Sequence, residues 1–130
     1  MNKIRIVIAD DNEEMLTLCK EVLQSEFDVV ATVRDGRALL QAAMNFKPDV
    51  IIADISMPEI SGIEATRRIV TEGLGSRIIL LSMHSDRRLV EEGISVGAKG
   101  YVFKLTAVKE LVPAVYEVIQ ERFYISPQVK

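Results

Sequence analysis

Residues 50–54 read Val-Ile-Ile-Ala-Asp, four apolar residues in a row and then a carboxylate. A strand with one wet face alternates apolar and polar residues. A run that is apolar at every position therefore suits a strand covered on both faces, as in a parallel sheet. The signature recurs on either side of this segment. Ile4–Ala9 is followed by Asp10 and Asp11, and Val29–Val33, Ile78–Leu81 and Tyr101–Phe103 are further short runs dense in apolar and β-branched residues. Between the runs the spacing becomes helical. Met15, Leu18/Cys19 and Val22 recur at three and four residues behind Asn12–Glu13–Glu14, an acidic start that suits a helix N-terminus. Leu39, Ala43 and Phe46 follow a cap at Asp35 and stop at Pro48, while Ile63, Thr66, Ile69 and Val70 follow a cap at Ser61. Leu89 and Val90 follow Ser85–Asp86 and stop near Gly97, and Leu111, Val115, Val118 and Ile119 follow Thr106. Five strands, each followed by a helix, predict a doubly wound α/β domain with helices on both faces of a parallel sheet.

Composition bounds the rest. A length of 130 residues suits one domain with one core. Sixteen Lys and Arg against nineteen Asp and Glu leave a net charge of −3 and no basic stripe, which argues against holding nucleic acid through phosphate contacts. The single cysteine, Cys19, rules out an internal disulfide and lies on the apolar stripe of the first helix, so it reads as core in a reducing compartment. The N-terminal apolar run is short and ends in two aspartates, unlike a signal peptide or a membrane span. A soluble cytoplasmic protein with no membrane partner is expected. The polar tail Ser126–Lys130, with Pro127 inside it, is predicted to fray or to begin a linker.

Ligands of open α/β sheets bind outside the carboxyl ends of the strands. Those ends carry Asp10 and Asp11, Asp54, Ser82 and Lys104. Three carboxylates on one rim repel each other unless a cation joins them, and a hard divalent ion such as Mg²⁺ prefers such oxygen ligands. Asp54, at the tip of the most apolar strand, is either a metal ligand only or a nucleophile as well, since carboxylates accept phosphoryl groups. Phosphoryl transfer needs alignment and charge neutralisation above all. A metal, the Lys104 ammonium and the Ser82 hydroxyl would provide one partner for each phosphoryl oxygen.

The pattern resembles the receiver domain of bacterial two-component response regulators along essentially the whole chain. The matching pieces are Asp10–Asp11, the run D-I-S-M-P-E-I-S-G at Asp54–Gly62, L-L-S at Leu80–Ser82, G-A-K-G-Y at Gly97–Tyr101, and Lys104. S-M-H-S at Ser82–Ser85 and F-Y-I-S-P at Phe123–Pro127 resemble the NarL/FixJ subfamily, whose receivers precede a LuxR-type helix-turn-helix. The resemblance implies a flavodoxin-like five-stranded sheet of order 2-1-3-4-5, a receiver over residues 1–124, and a linker or tail starting over 125–130. It also implies that Asp54 is the phosphoacceptor and that Mg²⁺ or Mn²⁺ is held by Asp11, Asp54 and the Ser56 backbone carbonyl, with Asp10 acting through a water. Lys104, Ser82 and the Met83 amide would contact the phosphoryl group. Ser82 would be drawn inward on phosphorylation and Tyr101 would rotate into the space left. The implied partners are a sensor histidine kinase, an output domain and a second copy of the phosphorylated chain. DNA contact is expected only through a C-terminal helix-turn-helix that these residues do not include, the chain being read as the receiver piece of a longer regulator.

Several residues depart from that pattern. Leu105 stands where many receivers have proline after the site lysine, so the loop is open to a different shape. Pro113, inside the fifth helical pattern, is expected to delay or bend that helix. His84 lies near the phosphoryl site and is either a plain loop residue or a modulator of hydrolysis. A receiver regulated through protein contacts alone is the alternative that Leu105 leaves open. A Mg²⁺-dependent aspartyl phosphatase would need a second acid where Ser56 stands, and a flavin or nucleotide carrier would need a phosphate cradle where Asp10–Asp11 stand. No turnover of a metabolite is therefore expected.

Overall fold

In the computed structural model, which describes residues 3–129, each apolar run is a strand whose alternate residues feed two separate cores. The strands are β1 (Arg5–Ala9), β2 (Asp28–Val33), β3 (Val50–Asp54), β4 (Arg77–Ser82), β5 (Gly100–Phe103) and β6 (Tyr124–Ile125). The helices are α1 (Glu13–Gln24), α2 (Gly36–Phe46), α3 (Gly62–Thr71), α4 (Arg87–Ser95) and α5 (Ala107–Ile119), with a 3₁₀ turn at Lys104–Thr106 ahead of α5. All strand pairs are parallel, in the order β2-β1-β3-β4-β5-β6. Val7, Ala9, Ile51, Ala53, Ile78 and Leu80 point into a core closed by α2, α3 and α4. Ile6, Ile8, Val50, Ile52, Ile79 and Leu81 point into the other, closed by α1 and α5. That division explains why the strands show no alternation in sequence.

The helix starts lie where the capping residues predicted them. Asn12, Asp35, Ser61 and Asp86 accept backbone N–H groups of Met15, Ala38, Glu64 and Arg88. Gly62 matters for the site, because a Cβ there would lie 2.3 Å from the carbonyl oxygen of Asp54. Only glycine lets α3 begin that close to the end of β3. Cys19 is buried in the core, and burial pushes its thiol up to about 12. No helix among the described residues is long and apolar enough to cross a membrane.

Two expectations need correction. The sheet has a sixth strand: β6 pairs with β5, through Gly100 opposite Tyr124 and Tyr101 opposite Ile125. The expected boundary after residue 124 thus falls inside a strand, and Ser126 is buried rather than fraying. Met1, Asn2 and Lys130, at the ends of the expected segments, lie outside the described residues. Pro113 does not delay α5, which begins at Ala107 and runs through it. Pro113 and Lys109 both lie on the exposed face of the helix, the side on which loss of a helical donor costs least.

Candidate functional site: an acidic rim at the carboxyl ends of the strands

Parallel register brings the ends of β1, β3, β4 and β5 to one rim, and with them the predicted residues. Asp10 is fully buried and Asp54 is 4% exposed, while Asp11 faces solvent. One carboxylate oxygen from each of Asp10, Asp11 and Asp54 lies within 4.8 Å of the others. Lys104 reaches across from the end of β5, its Nζ 3.0 Å from Oδ2 of Asp10 and 3.0 Å from Oδ2 of Asp54. No peptide bond among the described residues is cis, so Leu105 follows Lys104 in trans, and the lysine still arrives at the carboxylates. Leu105 itself points out, 71% exposed.

Backbone donors fix the acids. The N–H of Asn12 donates to Oδ1 of Asp10 at 2.8 Å, and the N–H of Ser56 donates to Oδ1 of Asp54 at 3.1 Å. Oδ2 of Asp10 is buried and takes no well-directed hydrogen bond, so its 3.0 Å ion pair with Lys104 is what offsets its charge. Burial pushes the Asp54 carboxyl up to about 6; the Lys104 hydrogen bond opposes that rise and the charge of Asp10 adds to it. Burial alone would lower the Lys104 pKa, but its close contacts with the Asp54 and Asp10 carboxylates outweigh it and raise the pKa. The rim therefore holds two buried acids with one lysine ammonium between them, a cluster short of positive charge. An under-bonded buried carboxylate oxygen beside two further acids suits an oxygen-preferring cation.

Ser82 and Tyr101 complete the rim. Ser82 is buried at the end of β4, and its Oγ accepts the N–H of His84 at 2.9 Å. Tyr101 is buried with its hydroxyl turned toward the same loop, donating to the carbonyl of His84 at 3.0 Å. His84 is thus tied to the site through both of its backbone groups, while the residue as a whole is exposed. Residue type drew attention to its imidazole, whereas the contacts run through its peptide. Met83 is exposed beside it. With Asn12, Glu14, Met15, Leu18, Lys104 and Leu105 it lines an open groove of about 370 Å³ next to the acids.

One buried carboxylate escaped the sequence reading. Glu110, in the first turns of α5, accepts the hydroxyls of Tyr124 at 2.9 Å and Ser126 at 2.6 Å, and also bonds the Thr106 hydroxyl. Its signal was available: Glu110 interrupts the stripe Ala107, Leu111, Ala114, Val115, Val118 that faces the core.

Comparison with known proteins places the whole chain in one family. Residues 6–116 match the family described as response regulator receiver domain. The chain is 38% identical over 130 residues to the transcriptional regulatory protein DegU of Brevibacillus brevis, covering 98% of this chain and 55% of that protein. It is 36% identical over 129 residues to the oxygen regulatory protein NreC of Staphylococcus carnosus, covering 97% of this chain and 59% of that protein. A two-component response regulator of the LuxR family from Aurantimonas sp. SI85-9A1 superposes with a TM-score of 0.93 at 28% identity, over 98% of this chain and 93% of that one. The chain thus spans little more than half the length of the curated relatives it matches.

Proposed function

Because the chain belongs to the response regulator receiver domain family, of the kind found in DegU- and LuxR-type transcription regulators, we propose that its signalling chemistry is the acceptance of a phosphoryl group by Asp54. The observation that carries this reading is the placement of Lys104 Nζ 3.0 Å from both Asp54 and Asp10, with Ser82 on the same rim. A carboxylate oxygen of Asp54 attacks phosphorus, the phosphorus–nitrogen bond of a phosphohistidine donor breaks, and its electron pair leaves with the imidazole, which takes a proton from water. The donor is a sensor histidine kinase. Asp54 must be ionised to attack, and a carboxyl titrating at about 6 is mostly ionised above neutrality. Lys104 and Ser82 contact the transferred oxygens, together with the Met83 amide. Lys104 holds charge where it develops, from a largely buried position at the end of β5.

The donor set suits Mg²⁺, or Mn²⁺, through Asp11, Asp54 and the Ser56 carbonyl, with Asp10 through a water; when bound, the ion neutralises charge on the reacting oxygens. Ser82 and Tyr101 form the switch, because both bond the loop at His84 and a change at Ser82 is felt by Tyr101. The imidazole of His84 modulates hydrolysis. The chain turns over no metabolite. Its receiver unit extends through β6, and the chain that follows leads to a LuxR-type output domain that contacts DNA. Phosphorylation favours a homodimer, and the protein acts in the cytoplasm.

Intact mass after incubation with Mg²⁺ and acetyl phosphate tests the acceptor. One added phosphoryl group, absent from Asp54→Asn, is expected. An added group that persists in Asp54→Asn overturns the assignment. No uptake, with beryllofluoride also failing to bind, favours a receiver that works through protein contacts alone.

A further inference from the structure

Glu110 lies outside the acidic rim, yet its contacts converge on the segment that delivers Lys104. Ser126 joins the two. Its N–H donates to the carbonyl of Tyr101 at 2.9 Å, and its Oγ accepts the N–H of Phe103 at 2.9 Å while donating to Oε1 of Glu110. A hydroxyl with one proton and two lone pairs can do both at once. The Phe103 N–H would otherwise be an open donor at the end of β5. Thr106, in the turn that starts with Lys104, bonds Glu110 as well, and Tyr124 brings β6 to the same carboxylate. The residue before Lys104 and the turn that contains it are therefore held by one buried carboxylate and one buried serine. The side chains of Asp10 and Asp54, by contrast, are anchored on β1 and β3 by the amides of Asn12 and Ser56. None of the Glu110 and Ser126 hydrogen bonds involves those two strands.

We propose that Glu110 and Ser126 are positioning residues for phosphoryl transfer: they strap the C-terminal segment across β5 and so fix where Lys104 presents its ammonium. The proposal rests on the reading of Asp54 as phosphoacceptor and adds to it a second group of residues. It also gives the chain beyond β6 a mechanical route to the site, because a pull on Ser126 acts directly on Tyr101 and Phe103. By linkage, whatever stabilises the strap strengthens capture of the phosphoryl group, and capture stabilises the strap by the same factor.

The strap makes a prediction that general loss of stability does not. Loosening Lys104 weakens the phosphoryl contact but leaves the carboxylates in place and frees them from a competing cation. Beryllofluoride and Mg²⁺ affinities should therefore separate in the 130-residue chain carrying Ser126→Ala. Beryllofluoride affinity at saturating Mg²⁺ is expected to fall roughly fivefold or more. Mg²⁺ affinity is expected to be unchanged or higher, and the Phe103 amide to exchange faster. Tyr124→Phe, which keeps the ring and removes one bond to Glu110, should move every reading in the same direction by less, and replaces Ser126→Ala if that variant fails to fold. The proposal is overturned if Phe103 exchanges faster while beryllofluoride binds as in the wild type. It is equally overturned if both affinities fall together, or if Phe103 exchange does not change. A wild-type chain that does not bind beryllofluoride removes the Asp54 reading and the strap with it, whereas a binding wild type with indifferent variants removes the strap alone.

Discussion

Asp54 and Glu110 are buried to nearly the same degree, 4% and 7% exposed, and they stand at opposite ends of what a buried carboxylate can be. Glu110 is bonded by three neutral hydroxyls, those of Thr106, Tyr124 and Ser126. Asp54 has one amide, from Ser56, and shares a lysine with a second acid. Burial and the Asp10 charge together outweigh the help from Lys104 and Ser56, so the Asp54 carboxyl rises to about 6. A carboxylate whose oxygens are filled by fixed hydroxyls holds structure together. One left with a single lysine ammonium shared with a second acid keeps room for another ligand. Burial alone does not separate the two, and the count and kind of partners does.

The contrast is broken most directly at Lys104. If that ammonium neutralises charge during transfer, Lys104→Ala should slow phosphoryl uptake from acetyl phosphate by about 10²–10³-fold, the usual effect of losing one preorganised donor. A time course by intact mass measures it, and a rate near wild type would show that Lys104 serves only to neutralise the two acids. A smaller effect, and one on stability, is expected at the other carboxylate. Glu110→Ala takes the acceptor from the Tyr124 and Ser126 hydroxyls, both buried or partly so, while Thr106 still has the Phe103 carbonyl, and should cost about 3 kcal/mol in urea unfolding. Glu110→Gln keeps an acceptor oxygen and should cost less. Equal losses would mean that the negative charge, not the acceptor geometry, is what Glu110 contributes.

Sequence reasoning reached these two carboxylates unequally, and the reason is physical. Asp54 sits at the end of a continuous apolar run, and the rule that strand ends share a rim connects it to Asp10, Ser82 and Lys104 without further information. The caps at Asp35 and Ser61 are just as local, since each side chain bonds an amide three residues on. Glu110 depends on partners 14 and 16 residues away, on a segment that looks like a polar tail. β6 has two residues and draws its order from the free edge of β5, which no propensity scale registers. His84 illustrates another limit: side-chain chemistry is visible in a sequence, whereas the peptide groups that tie Ser82 to Tyr101 are the same for every residue. Pro113 suggests a late or bent helix because the rule concerns the lost donor, yet α5 starts at Ala107 and runs through it with Pro113 on the exposed face.

The finest test of the contrast is the stability of Asp54→Asn as a function of pH. The folded chain holds the Asp54 carboxyl near 6 against an ordinary value of 3.8, so folding favours its protonated form. The stability associated with that form is complete below the ordinary value and is lost as pH rises through about 6. Asparagine is neutral at every pH and escapes that loss. In metal-free buffer Asp54→Asn should therefore be more stable than wild type at about pH 7.5, by on the order of 2 kcal/mol, and the advantage should fade toward pH 4. Lys104 keeps Asp10 as its partner in the variant, so no buried cation is stranded. Urea midpoints at the two pH values measure the difference. A variant less stable than wild type at pH 7.5 would mean that Lys104 over-compensates Asp54, making that carboxylate a structural group like Glu110 and removing the distinction between the two regions.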